Sequence, residues 1–525
     1  MKKKWNVVCI ALVLVISTLF TACGHNKKNE EVKENVENKK DDKEITQGGS
    51  IIVGITNDLD SLDPHKAEAA GTREVLFNIF EGLVKLNSEG ELVPAVASEY
   101  NVSEDGMTYT FTLRDGVKFH NGDEVTVDDV VYSLKRCAGL LEESDPKVRV
   151  VSALSIVSSI DVVDEKTVKL TLNEANTELL GSLTCAIIPK DYTQQETKPI
   201  GTGPFKAVSY EALHSFVIQK NDDYYGDAPY LDKVTFKVCA DASSAFLELQ
   251  AGNIDIFPYL TQAQASQLSK GYNIEVGNAN VVQGLFLNNT SKPFDDIRVR
   301  QAMCYAIDRQ AILDFVAGGK GTIIGSNMFA NFTVYADDTL VNEYPYNVEK
   351  AKELLKDAGY ESGFTFTITV PSNYQFHVDT AQVIVEQLKQ VGITAQIQLV
   401  EWASWLDDVY RGRNFESTII GLDGDLIPSE ILTRYNSDSN KNFVNYSNPE
   451  FDRVFDLAVK TIDEDKKIEY YKELQAILAK DAASVYIQDP ASLVAVNKKI
   501  TGYQFYPVYV QDMSVIHYVD EAENH

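Results

Sequence analysis

The sequence is short of basic residues, of cysteines and of catalytic signatures. Its 525 residues carry 48 Lys and Arg against 77 Asp and Glu, a formal net charge of −29. Phosphate backbones attract basic surfaces, so this balance argues against a nucleic-acid partner. No GxSxG elbow or HExxH helix occurs, which removes two common hydrolase signatures. The seven His form no spaced cluster. Cys137, Cys185, Cys239 and Cys304 stand 48 to 65 residues apart, without the close pairs that structural zinc needs. No metal site, cofactor or catalytic residue is therefore expected, and the four cysteines read as buried free thiols. Beyond the first 20 residues no long apolar run remains, so the body does not read as membrane-spanning.

What is present begins with Met1-Lys2-Lys3-Lys4-Trp5, a basic head, and an apolar run from Val7 to Phe20. Basic start, short apolar core and small residues at the end are the plan of a secretory signal peptide, here residues 1–22. The run closes Leu19-Phe20-Thr21-Ala22-Cys23-Gly24, which resembles the lipobox of bacterial lipoproteins, with Phe20 where Leu is usual. That resemblance implies cleavage before Cys23 and lipidation of Cys23. Residues 24–44 hold six Lys and seven acidic residues with no aromatic. Such a stretch cannot bury enough apolar surface to offset its ordering entropy. Residues 23–47 thus read as a lipidated Cys and a disordered leash on the extracytoplasmic face of the cell membrane.

The remaining chain is too long for one core, since chains beyond about 250–300 residues usually divide. Period-2 alternation marks strands at Ser50–Ile55, Thr108–Leu113, Val168–Leu172 and Phe364–Val370. Helical spacing marks 296–308, a helix from Asn347 to Gly359, and 379–391, 449–460 and 465–481. Strands and helices mixed along the whole length indicate an α/β fold. Gly201-Thr202-Gly203-Pro204 reads as a tight turn rather than a phosphate cradle, and Asp105-Gly106 as a hairpin turn.

A series of phrases in fixed order carries more. Leu62-Asp63-Pro64-His65 is followed by Phe80-Glu81-Gly82-Leu83, then by Asp105-Gly106-Met107-Thr108-Tyr109-Thr110-Phe111 and Phe119-His120-Asn121-Gly122. Gly201-Thr202-Gly203-Pro204-Phe205, Asn221-Asp222-Asp223-Tyr224-Tyr225-Gly226 and Gly252-Asn253-Ile254-Asp255 come next. Phe294-Asp295-Asp296-Ile297-Arg298-Val299-Arg300, Ala306-Ile307-Asp308-Arg309 and Asn445-Tyr446-Ser447-Asn448-Pro449 complete the set. The set resembles the family 5 solute-binding proteins, receptors for oligopeptides, dipeptides and nickel in ABC importers, from about residue 48 to the end.

That resemblance implies a two-lobed periplasmic-binding-protein-like (type II) fold with an extra subdomain in lobe one. Lobe one would take 48–286 plus 487–525, with 90–199 as the subdomain, and lobe two 287–486. The crossings fall near Leu287-Asn288 and Tyr486–Asp489. It implies a monomer that captures short peptides and hands them to permease and ATPase subunits. In peptide receptors of the family an Asp in a phrase resembling Gly-Trp-x-x-Asp holds the ligand's ammonium group. The stretch Gly421-Leu422-Asp423-Gly424-Asp425 places Asp425 there, with Leu422 in place of the Trp and Asp423 as a bystander. Gly421 and Gly424 would let backbone approach the ligand. Glu401-Trp402 resembles a pair whose Trp lines a side-chain pocket, and Trp405 reads as core. Glu68, Ala69 and Ala70 correspond to a segment whose backbone pairs with the peptide. Tyr486 matches a further cleft aromatic, and Arg411 could replace an Arg that is missing before Gly421. His65 and His120 read as structural. A receptor for a nickel chelate or another amine-bearing solute is the alternative, and a secreted hydrolase a distant one.

Overall fold

The computed structural model describes residues 45–142, 145–148, 150–268, 271–372, 374–423 and 427–519. The signal segment, Cys23, most of the leash, and Gly424, Asp425 and Leu426 lie outside the described residues. Ile45–Thr46 pairs antiparallel with His517–Val519, which in turn pairs with Ile500–Thr501. The folded body therefore starts before residue 48, because two β-branched residues complete a small sheet.

Local chemistry explains most elements. Ser50–Ile55 and Thr108–Leu113 form where alternation predicts them, and the other two expected strands settle at Thr167–Leu172 and Thr365–Pro371. Asp296 caps Ile297–Ala306 by accepting Arg298 N–H at 2.9 Å, and Asn347 caps Val348–Asp357 through Lys350 N–H at 2.9 Å. The helices Pro449–Lys460 and Glu464–Lys480 follow the same rule, with Asn448 and Asp463 as caps. Gly201 and Gly203 are glycines because backbone crosses behind them. A Cβ at Gly201 would sit 2.2 Å from the Ile79 carbonyl oxygen. His120 locks the same turn, its Nδ1 accepting Gly201 N–H at 3.2 Å and its Nε2 meeting the Gly203 carbonyl at 3.1 Å. Burial pushes that ring's pKa down to about 4, so it stays neutral in this role. His65 likewise spends its Nε2 on the Ala186 carbonyl at 2.8 Å.

Among the described residues one large sheet has twelve strands. Its path runs Thr394–Val400, Thr365–Pro371, Ser417–Asp423, Val281–Leu287, Ser484–Asn497, Ile256–Phe257, Ser50–Ile55, Lys233–Val238, Ser215–Lys220 and Phe205–Glu211. The long strand Ser484–Asn497 joins the two halves. Its first residues pair with Val281–Leu287, while Ala491–Asn497 pairs with Tyr272–Asn278. Val281–Leu287 is hydrogen-bonded along its length to Ser417–Asp423. It thus lies beside Ser417–Asp423 in the second half of the sheet.

Hydrophobic clusters divide the same way. Two draw only on residues 282–487, and two on residues 51–80, 186–260 and 491–516. A further cluster packs the helix Val127–Cys137 on a separate four-stranded sheet made from 97–113 and 157–172. That separate layer is the extra subdomain. The architecture is two-lobed α/β.

The subdomain touches lobe two through a buried carboxyl. Tyr471 O–H donates to Glu178 Oε1 at 2.5 Å, and Thr177 N–H donates to the Val459 carbonyl at 3.2 Å. Burial drives Glu178 up to about 7, against the pull of Ser429, Tyr471 and Lys467. With the folded pKa above the unfolded one, Glu178 helps stability at low pH and that help is lost as pH rises through 7. A shift of about 2.5 pH units is worth about 3 kcal/mol. Glu178→Gln is expected to match the parent near pH 4, below the unfolded pKa, and to exceed its unfolding free energy by about that amount at pH 9. Denaturant titrations at both pH values check this, and parallel pH dependences of parent and variant would contradict it.

Candidate functional site

Two connected hollows line the seam between the lobes. One of about 300 Å³ lies between Thr177, Glu178 and Gly181 of the subdomain and Phe332–Tyr335 with Ile427 and Pro428 of lobe two. The other, about 380 Å³, is walled by Ser88, Gly277, Asn278, Phe505 and Pro507, and shares Glu89, Asn331 and Thr333 with the first.

Deeper in the seam the strand Ser417–Asp423 presents its end to lobe one. Period-2 geometry sends Gly421 and Asp423 to one face and Leu422 to the other. Gly421 donates its N–H to His377 Nε2 at 3.1 Å, and a Cβ there would meet Val281 Cγ1 at 2.4 Å. Burial holds His377 down to about 4, so the ring remains a neutral acceptor. Its other nitrogen faces the Gln283 amide at 2.9 Å. Leu422 is packed into the lobe-two core beside Trp405 and Val282.

Asp423 is not the bystander expected from the sequence. Tyr509 O–H donates to its Oδ1 at 3.3 Å, a contact between lobe two and the C-terminal segment of lobe one. The carboxyl is open to solvent yet crowded by protein. That crowding pushes its pKa up against the attraction of Arg434, Tyr509 and Arg73. Arg434 is a second group that sequence reasoning passed over. Its Nε and Nη1 are shut off from solvent without a hydrogen-bond partner among the described residues. Across the seam Glu74 is buried and accepts both Tyr259 O–H, at 2.5 Å, and Gln511 Nε2, at 3.0 Å. Burial raises its pKa. Asp489, fully buried where the long strand changes partner, accepts Val281 N–H at 3.1 Å and is driven by burial up to about 7.

The other residues singled out fall as follows. Trp402 is half-buried, stacked on Trp405 with ring centres 5.2 Å apart and planes 5° apart, and edge-on to Tyr374 at 5.4 Å. Trp405 is core and donates its ring N–H to Thr418 Oγ1 at 2.9 Å. The N–H groups of Glu68 and Ala69 both go to Asp60 Oδ2, at 2.8 and 3.1 Å, and the Glu68 carbonyl accepts from Arg73. Ala70 starts the helix Ala70–Leu76. Tyr486 is buried against Tyr435 rather than set on an open wall. Arg411 is exposed and paired with Asp407 at 2.5 Å, so it does not stand in for the missing Arg. Gly424 and Asp425 continue from Asp423 but lie outside the described residues. All four cysteines from Cys137 onward are free thiols, and among the described residues no group of His, Cys, Asp and Glu is placed to hold a metal. No described helix is long and apolar enough to cross a membrane.

Two lobes sharing a sheet through connecting strands, with a charged and tyrosine-rich seam between them, define an extracytoplasmic solute-binding protein. The chain belongs to the bacterial extracellular solute-binding proteins, family 5, whose middle region matches residues 91–443. It is 26% identical to the oligopeptide-binding protein AppA of Bacillus subtilis, over 96% of this chain and 97% of that protein. It is 29% identical to the dipeptide-binding protein of Escherichia coli, over 80% of this chain and 84% of that protein. Among solved structures, the periplasmic binding protein DppA of Helicobacter pylori, in complex with the peptide STSA, superposes with a TM-score of 0.75. That match has 27% identity and covers 90% of this chain and 99% of DppA.

Proposed function

We propose that this protein captures short peptides for an ABC importer and is held at the outer face of the cell membrane by lipid on Cys23. The observation that carries the ligand class is the strand Ser417–Asp423, whose last residue meets Tyr509 of lobe one directly before Gly424 and Asp425 in the sequence. Relatives with the same architecture are named for oligopeptides and dipeptides. A zwitterionic ligand in a closed cleft needs an anion for its ammonium group, because unpaired buried charge is costly. Asp425 supplies it, two residues beyond Asp423. Tyr374 and Trp402, backed by the buried Trp405, offer a side-chain wall with large area at low entropy cost. Backbone pairing at Glu68–Ala70 would proceed by displacing Asp60 from the two amides it holds. The protein binds as a monomeric receptor without turnover, and its partners are the importer's permease and ATPase subunits.

Release and capture then require the lobes to move about Asn278–Val281 and Gln488–Ala491, where strand pairing changes. A ligand drives closure only through contacts it makes better in the closed state. Small-angle scattering of ligand-stripped protein is expected to show a smaller radius of gyration when a short-peptide mixture is added. An unchanged profile at saturation would argue against closure.

A further inference from the structure

Two thiols of the extra subdomain are packed in one hydrophobic cluster. Cys137 ends the helix Val127–Cys137 and is buried, while Cys185 follows the short helix Leu179–Ser182 and is partly exposed. Both belong to the same hydrophobic cluster, and the Cys185 thiol together with burial holds the Cys137 pKa up. The surrounding geometry holds them there. Ser133, one turn before Cys137 and on its face of the helix, accepts Ile188 N–H at 2.9 Å and donates to the Ile188 carbonyl at 3.2 Å. On the other side Ile187 N–H donates to the Glu81 carbonyl at 2.9 Å, and His65 grips the Ala186 carbonyl. Backbone also presses from Gly82, where a Cβ would lie 2.8 Å from the Cys185 carbonyl oxygen. The segment 185–188 is thus clamped between the helix and lobe one, within the cluster that holds Cys137.

We propose that Cys137 and Cys185 are a redox pair that closes to a disulfide on meeting a low-molecular-weight disulfide outside the cell, tying the helix Val127–Cys137 to the segment that leads back into lobe one. Cys185 gives up its proton, and its thiolate attacks one sulfur of the oxidant. The oxidant's S–S bond breaks, one small thiolate leaves, and a mixed disulfide stands on Cys185. Cys137 then loses its proton and attacks Cys185 Sγ, expelling the second small thiolate. The two protein thiols have lost two electrons and two protons, and the oxidant has become two thiols. Exposure sets the order, since only Cys185 is reachable from solvent. The contact with Cys185 and burial keep the Cys137 pKa well up, so Cys137 waits as a thiol until its neighbour has reacted. Cys239 and Cys304 are buried in separate clusters and have no such neighbour among the described residues.

The test uses the reduced mature protein, incubated with oxidised glutathione, quenched, alkylated and mapped by peptide mass spectrometry. The expected product is lighter by two hydrogens, links the Cys137 and Cys185 peptides, and leaves Cys239 and Cys304 alkylated. Its melting temperature is expected to rise by several degrees and to fall back with dithiothreitol. Cys137→Ser should stop at a glutathione adduct on Cys185, and Cys185→Ser should leave Cys137 untouched. A parent that keeps a stable adduct, keeps both thiols free, or links either cysteine elsewhere overturns the proposal. The parent's own peptide map decides this even where a variant fails to fold.

Discussion

Asp425→Ala is expected to weaken binding of a peptide with a free amino terminus by roughly 30- to several-thousand-fold. The range follows from the cost of removing one member of a buried, hydrogen-bonded charge pair, about 2–5 kcal/mol, at tenfold per 1.4 kcal/mol. Acetylating the peptide's amino group removes the same interaction from the other side. It should therefore cost the parent a similar factor and cost Asp425→Ala little more, a double comparison that calorimetry resolves. Asp423 cannot serve as the neutral control that its position two residues upstream suggests. It takes a hydrogen bond from Tyr509 across the seam, so its loss would disturb closure. Asp407→Ala is the better control, because its pair with Arg411 is exposed and such pairs contribute little. Equal affinity of Asp425→Ala and the parent for unmodified peptide would remove the ammonium assignment.

Cys23→Ser is expected to abolish anchoring outright. A thioether-linked lipid with a second acyl signal holds a protein firmly, whereas one chain alone anchors only marginally. Without the thiol there is no attachment point, and the leash of residues 24–44 has no apolar face to replace it. Fractionation of cells should find the variant in the medium or as uncleaved precursor. A variant processed and retained at the membrane like the parent would contradict lipidation at Cys23.

The elements legible in the sequence are those governed by neighbours a few residues away. Asn347 and Asp296 cap helices through amides two or three residues on, and Thr108–Leu113 alternates because one face packs inward. The turn at Gly201 and the structural part played by His120 followed from the same local logic, although the reason, Ile79 passing behind, comes from more than a hundred residues upstream. Which strand Val281–Leu287 joins is not legible locally, because its partner lies at least 130 residues downstream. Leu422 shows a different limit. A resemblance aligns positions, but side-chain direction alternates along a strand, and this position points into the core. Nothing local marks Arg434 or Glu74, and these two, like Tyr509, gain their places from contacts across the fold. The tyrosines at 503, 506 and 509 beside Asp512 were the one available hint of a polar aromatic wall near the C-terminus.

Native mass spectrometry of freshly purified mature protein tests the central claim most directly. A closed receptor is expected to retain what it has captured, so the spectrum should show added masses that fragment as short peptides with free amino termini. Asp425→Ala, prepared alongside, should carry far less of them. A retained metal chelate, or a ligand that contains no peptide, would contradict the account.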